Sequence, residues 1–226
     1  MTDVDPRIVR GTNRLLEAQC DALDRGAERL GWKAGFGAPA ALSTLGTDRP
    51  LVGFLTRDRL LPDGESVDVS TWTKAVLEAE VAAHLAADLG VGTSPADALA
   101  AVGGWSVAIE LADLDRSPDD VEEIVAGNIF HRHVLLGPVV EARPEPLTFV
   151  VTCDGVEAAR SSEPEALTGE LGSVLASMAD TLAACGAGLR AGDVVITGSV
   201  VPPVPVTSGG WLVEAEGLGR VSIVIG

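Results

Sequence analysis

Between Leu77 and Leu85 an apolar run carries two carboxylates one residue apart, Glu78 and Glu80. Side-chain periodicity decides what that pair can do. On a strand, successive side chains alternate faces. Glu78, Glu80 and His84 then share one face, while Leu77, Ala79, Val81 and Leu85 take the other, toward a core. Two strand rises separate the glutamate Cα atoms by roughly 6.6 Å, which lets both carboxylates converge on one cation. On a helix the same glutamates point about 200° apart and cannot share a metal. Glu, Ala and Leu all favour helices, so propensity supports that alternative. We read the stretch as a strand.

The 226 residues, 46% of them hydrophobic, suit one sizeable core. The expected organisation is a single domain over 1–226, with an N-terminal helical and loop lobe (1–65) and a β-rich core (66–226). With 33 acidic residues against 16 basic, the formal net charge is −17 and no basic stretch is available to neutralise phosphates, so nucleic acid is excluded as a partner. Cys20, Cys153 and Cys185 show no metal-binding spacing, and the reading is reduced thiols in a cytoplasmic protein. No signal segment and no run long enough to span a bilayer is read, so no membrane partner is expected.

Leucines at 16, 23 and 30 predict an amphipathic helix from residue 6 to about 30, stopped by Gly31. Residues 38 to 70 read as loop-rich, with a short strand at Leu51–Leu55. Ser94 and Pro95 start a helix as N-cap and first residue, and Ser117-Pro118 repeats the signal. A second core strand runs from Trp105 to Asp113. Asp154-Gly155 marks a hairpin. Ser162-Glu163-Pro164-Glu165 reads as a capping box opening the longest helix, with Leu167, Leu171, Val174, Leu175, Met178 and Leu182 as its buried stripe. The C-terminus is strand-rich and ends in a hairpin.

Several side chains stand out against this frame. Glu110 closes a near-continuous apolar strand, and glutamate is rarely buried unless paired or ligating a metal. Lys33 lies in Gly31-Trp32-Lys33-Ala34-Gly35, either a surface lysine in a turn or a pocket cation that holds an enolate oxygen. His131 and His133 share a face if their segment is extended; structural, pocket-lining and metal-ligating roles all remain open. Backbone amides at Gly198 and Ser199, with the Ser199 hydroxyl, can receive a carboxylate.

In this order, Gly31-Trp32-Lys33-Ala34-Gly35, Glu78-Ala79-Glu80, Ile109-Glu110 with Asp113, and Gly192-Asp193-Val194-Val195-Ile196-Thr197-Gly198-Ser199 resemble the fumarylacetoacetate hydrolase superfamily. The resemblance is to its 2-keto-4-pentenoate hydratase and 4-oxalocrotonate decarboxylase branch, over about residues 10 to 226. It implies an α+β fold: a fumarylacetoacetase C-terminal-like mixed β-sheet roll with flanking helices and a small N-terminal helical part. It implies Mg²⁺ or Mn²⁺ held by Glu78, Glu80 and Glu110, with Asp113 in support. It implies Lys33 beside the developing charge, Thr197, Gly198, Ser199 and Asn128 against the substrate, and a homodimer or larger assembly. The implied activity is a lyase on a small 2-oxo or 2-hydroxydienoic acid, a hydratase working through a metal-stabilised enolate. A decarboxylase or C–C hydrolase is the alternative, and a catalytically weak partner subunit is the third reading. Three departures bear on that choice. The chain has Pro50-Leu51-Val52-Gly53 where the family has Pro-Asp-Phe-Gly, and Ala126-Gly127-Asn128-Ile129 where it has Asp-Asn-Ala-Ser. The family's Gly-His-Pro is absent. His131 or His133 is the expected replacement proton-transfer group.

Overall fold

The computed structural model describes residues 4–226. Helix α1 (Pro6–Asp24) is capped by Asp5, whose carboxylate accepts from the Arg7 amide at 2.8 Å. Its buried face is Ile8, Gly11, Thr12, Leu15 and Gln19, not the expected leucine row. The helix ends well before residue 30, because Gly26 turns the chain at φ +96° and strand β1 (Arg29–Gly35) follows.

Helix α2 (Pro39–Leu45) lies within the segment read as loop. Then come β2 (Leu51–Thr56), β3 (Leu60–Leu61), β4 (Ser66–Val67) and the long β5 (Ala75–Leu85), so the carboxylate pair is on a strand. Helix α3 (Pro95–Ala100) starts as expected, with the Ser94 hydroxyl accepting from the Asp97 amide at 3.2 Å. Strand β6 (Val102–Asp113) leads to α4 (Val121–Ala126), which is capped by Asp120 rather than by Ser117. A left-handed turn at 128–130 precedes β7 (His131–Leu136). Strands β8 (Phe149–Cys153) and β9 (Val156–Ser161) form the hairpin at Asp154-Gly155.

The expected long helix is two pieces, α5 (Glu165–Thr168) and α6 (Leu171–Ala184), broken at Gly169 with φ +87°. Glu170 caps the second piece through the Ser173 amide, so the capping box at 162–165 does not open it. The longest helix is α1, of 19 residues. The chain closes with β10 (Val194–Ser199), β11 (Val204–Pro205) and the hairpin β12 (Gly209–Ala215) and β13 (Gly219–Ile225).

The strands form two sheets. The larger runs β2-β1-β10-β5-β6-β7-β3, with β11 also on β5; the smaller runs β4-β13-β12-β8-β9. Strands β1, β2 and β3 belong to the larger sheet, so residues before 65 supply three of its strands and do not stand apart as a helical lobe.

Register matters most between β5 and β6, where Glu78 lies opposite Glu110 and Glu80 opposite Ala108. Odd-numbered residues of both strands, including Leu77, Val81, Ile109 and Leu111, enter the main core with β8, β12, β13 and α6. Even-numbered residues face the inside of the curl, where Leu30, Leu55, Ala82, Ala108, Val134 and Ile196 make a smaller apolar cluster. No helix of the described residues is long and apolar enough to cross a membrane.

Candidate metal centre

Period-two alternation puts Glu78, Glu80 and Glu110 on the inner face of β5 and β6, and one carboxylate oxygen from each lies within 4.8 Å of the others. Glu80 and Glu110 are fully buried, while Glu78 is half-buried. Lys33 reaches the cluster from β1. It is not a turn lysine: its side chain is 2% exposed, its Nζ donates to Glu110 Oε1, and a second bond goes to the Ile129 carbonyl at 3.2 Å. His131 donates from Nδ1 to the same Oε1 at 2.8 Å.

Glu80 is held by the backbone. Register slips between Ile196 and Ser199, and Gly198 takes φ +103°, a conformation that favours glycine. Its N–H then donates to Glu80 Oε2 at 2.6 Å. Glycine matters again at Gly53 on β2, where an added Cβ would come within 2.8 Å of Lys33 Cγ and 2.7 Å of Asn128 Oδ1.

The electrostatics are those of a cluster short of positive charge. Burial pulls the Lys33 pKa down, but Glu110, then Glu78 and Glu80, more than offset that and leave it raised. Burial likewise pushes Glu110 up, yet Lys33 and His131 hold it below the usual carboxylate range. Glu78 and Glu80 lack such a partner. Burial, reinforced by the charge on Glu110, pushes Glu78 up to about 7. The same causes, with Glu78 added, push Glu80 well above its ordinary value.

Two oxygens in the cluster, Glu80 Oε1 and Glu110 Oε2, are buried without any hydrogen-bond partner. Leaving such groups unpaired is costly. An all-oxygen set with orphaned carboxylate oxygens fits a hard divalent cation and does not fit zinc, which prefers nitrogen and sulfur.

Beside the cluster is a cavity of about 270 Å³, lined by Lys33, Glu78, Phe36, Ile129, Phe130 and Ser199 among others. Among the described residues Lys33 is the sole cationic side chain in its wall, and most of the rest is apolar or glycine.

The other expected site residues separate. His131 and His133 do not share a face. The β6–β7 register slips between Leu111 and Ala112, so His131 pairs with Ala112 and His133 with Leu111. The extra residue, a β-bulge, reverses the alternation. His133 consequently stacks on Trp72, ring centroids 6.1 Å apart, away from the carboxylates. Neither histidine lines the cavity. Asn128 does not line it either. Its amide is spent on Phe54 of β2, accepting from the N–H at 2.8 Å and donating to the carbonyl at 3.0 Å.

Thr197 donates to the Val81 carbonyl at 3.0 Å, and the Ser199 hydroxyl donates to that of Val201 at 2.6 Å. The side-chain donors at the end of β10 are thus engaged within the protein, although Gly198 and Ser199 do border the cavity. Asp113 accepts from the Lys74 amide at 2.8 Å and lies 3.6 Å from Arg132. Phe36, Phe130 and the Ile129 carbonyl carried no signal in the sequence, since a wall and a backbone acceptor are defined only by the fold.

Residues 36–225 match the fumarylacetoacetate (FAA) hydrolase C-terminal family. The chain belongs to that family. It is 32% identical over 205 residues to a 2-keto-4-pentenoate hydratase of Burkholderia vietnamiensis (strain G4 / LMG 22486), covering 87% of this chain and 78% of that one. A 4-oxalocrotonate decarboxylase of Pseudomonas putida is 30% identical over 207 residues, covering 88% and 78%. Among solved structures, 4-oxalocrotonate decarboxylase from Pseudomonas putida G7, complexed with magnesium and adipate, superposes with a TM-score of 0.85 at 27% identity, over 93% of this chain and 83% of that one. The expected roll with flanking helices is therefore the fold observed.

Proposed function

We propose that the protein is a lyase dependent on Mg²⁺ or Mn²⁺, acting as a hydratase on a small 2-oxo or 2-hydroxydienoic acid. The observation that carries this reading is the cluster of half-buried Glu78 with buried Glu80 and Glu110, which holds two orphaned oxygens. These three residues would hold the cation, which supplies Lewis-acid polarisation of the substrate's carbonyl and carboxylate oxygens.

The chain's own groups do the rest. Lys33 keeps its proton and presents fixed positive charge at the cavity wall, where negative charge develops on the 2-oxo oxygen. Gly198 aims Glu80 through its N–H. His131 orients Glu110 from behind, so it is a positioning residue rather than the proton donor to substrate. Ser199 is a rotatable hydroxyl at the cavity edge, able to turn from Val201 to a substrate carboxylate. His133 and Asn128 support the fold and take no part.

Hydration is preferred over decarboxylation of a dioic acid because the cavity wall offers no second cation for a distal carboxylate. A substrate with a short uncharged tail suits walls made of Phe36, Ile129, Phe130 and their neighbours. One observation supports a weaker enzyme or partner subunit. Leu51, at the position where the family carries an acidic residue, is fully buried in an apolar cluster with Ile129 and Phe130 and can transfer no proton.

The test is turnover of 2-hydroxypentadienoate with Mg²⁺, beside CO₂ release from 4-oxalocrotonate. Loss of the dienoate at a rate abolished in Glu80→Ala is the expected result. CO₂ release alone would establish the decarboxylase. Metal binding and oxalate binding with neither turnover would leave the partner subunit.

A further inference from the structure

A second cleft, of about 840 Å³, opens beyond His131. It shares no lining residue with the carboxylate cavity. The C-terminal end of α1, the end of β2 and the start of β7 form its walls, so it occupies the seam where the curled sheet fails to close.

Its lining is rich in arginine. Arg25, Arg59 and Arg132 line it against one carboxylate, Asp58, in a protein of formal net charge −17. Arg59 lies 3.6 Å from Asp58, and Arg132 pairs with Asp115 at 2.8 Å and lies 3.6 Å from Asp113. Arg25 pairs with no carboxylate among the described residues. Guanidinium groups gathered in a concave surface recognise oxyanions.

The floor supplies a second, independent observation. The His131 side chain is 3% exposed and lines the cleft, and its Nε2 is buried with no partner. Nδ1 gives its hydrogen to the Glu110 carboxylate, which can only accept. In the neutral ring Nε2 then carries the lone pair. A bare carboxylate or sulfate has nothing to offer it, whereas a hydroxyl does.

We propose that this cleft binds a small oxyanion that also carries a hydroxyl group. Arg25, Arg59 and Arg132 receive the negative oxygens, and the hydroxyl donates to His131 Nε2. Inorganic phosphate near neutral pH and a hydroxy acid share this chemistry.

The experiment is calorimetric titration of inorganic phosphate and of sulfate into Mg²⁺-loaded protein already saturated with oxalate, which keeps either anion from the carboxylate cluster. Should Mg²⁺ not bind, the same titration without it still reads the cleft, so failure of the metal reading is distinguishable from failure of this one. The expected result is saturable phosphate binding, with sulfate weaker by roughly fivefold or more, about the worth of one neutral hydrogen bond. Arg25→Ala with Arg59→Ala weakens phosphate roughly tenfold or more and leaves oxalate binding unchanged. Competition by lactate where acetate does not compete identifies a hydroxy acid as the preferred ligand; its failure identifies phosphate. Absent phosphate binding, undiminished binding in the double variant, or equal binding of sulfate overturns the proposal.

Discussion

The two faces of the β5–β6 pair share a backbone and differ in everything else. On the odd face Leu77, Val81, Ile109 and Leu111 are fully buried among apolar side chains from the second sheet and α6. On the even face the same strands bury Glu80 and Glu110 and present Glu78, with Lys33 alone as a buried cation. Burying large side chains stabilises by about 1.5–3 kcal/mol each. Burying like charges costs several kcal/mol each before any partner is counted. The lesson is that the odd face makes the even face tolerable. A two-stranded unit anchored that firmly can hold repelling carboxylates in place until a cation joins them.

Substitutions on the two faces should therefore fail in opposite ways. The largest effect is expected at Glu80→Ala. Cation affinity should fall by more than the roughly 10–100-fold typical of losing a residue behind a ligand, as read by Mn²⁺ titration with the fold intact by circular dichroism. Lys33→Met should lower kcat by about 10²–10³-fold, the range for removing one preorganised donor, while folded protein is still recovered. An unfolded Lys33→Met would instead make the lysine a structural counter-ion.

Ile109→Ala, one residue from Glu110 but on the other face, should lose about 2–5 kcal/mol of stability in urea and keep cation affinity per folded molecule. Glu80→Gln should do the reverse, raising the stability of the metal-free protein while binding no cation, because it removes a buried carboxylate that burial and its acidic neighbours disfavour. Loss of stability there would mean that the carboxylate is not the strained member of the site.

The pH dependence follows from the same asymmetry. Burial lifts Glu78 to about 7 and raises Glu80 well above the unfolded value of 4.5. The metal-free fold thus binds more protons than the unfolded chain, and these two groups make it more stable as pH falls from above 7 toward 4.5. Cation binding requires the deprotonated forms, so affinity should weaken over that same fall, with protons released on binding. Calorimetry in buffers of different ionisation enthalpy measures the release. The smallest effect belongs to His133→Ala: about 0.5–1.5 kcal/mol from the lost stack on Trp72, and an unchanged pH–rate profile. A displaced profile would return His133 to the chemistry.

The carboxylate site was legible because it is local. Alternation in 77–85 and the isolated Glu110 in an apolar strand contain the two faces already, and pairing β5 with β6 only brings them together. What misled was set by partners distant in sequence. The glycines around Lys33 read as turn residues, yet Gly31 serves the close approach of β10: an added Cβ would lie 2.0 Å from the Val194 carbonyl oxygen. The bulge that parts His131 from His133 exists only against β6. The leucine row that prolonged α1 failed because Leu30 belongs to the interior of the roll, in strand form. Thr197 and Ser199 end strand β10, Ser199 at the cavity edge, and their hydroxyls answer to backbone carbonyls that no spacing rule could supply.

Asn128, Ile129 and Phe130 occupy left-handed backbone in succession, at φ +56°, +49° and +64°. Such residues cost about 1–3 kcal/mol each, and a β-branched one is the most reluctant. The turn is secured by the Asn128 amide, which meets the edge of β2 as a neighbouring strand would. The Phe54 amide proton is accordingly sheltered by a side chain instead of a ladder. Its hydrogen-exchange rate becomes a reporter of how often the seam of the roll opens, independent of the slower exchange in β5. Asn128→Asp retains the acceptor for that proton but loses the donor to the Phe54 carbonyl, turning a two-way latch into a one-way one. Faster exchange at Phe54, with β5 unchanged, would record the seam breathing on its own.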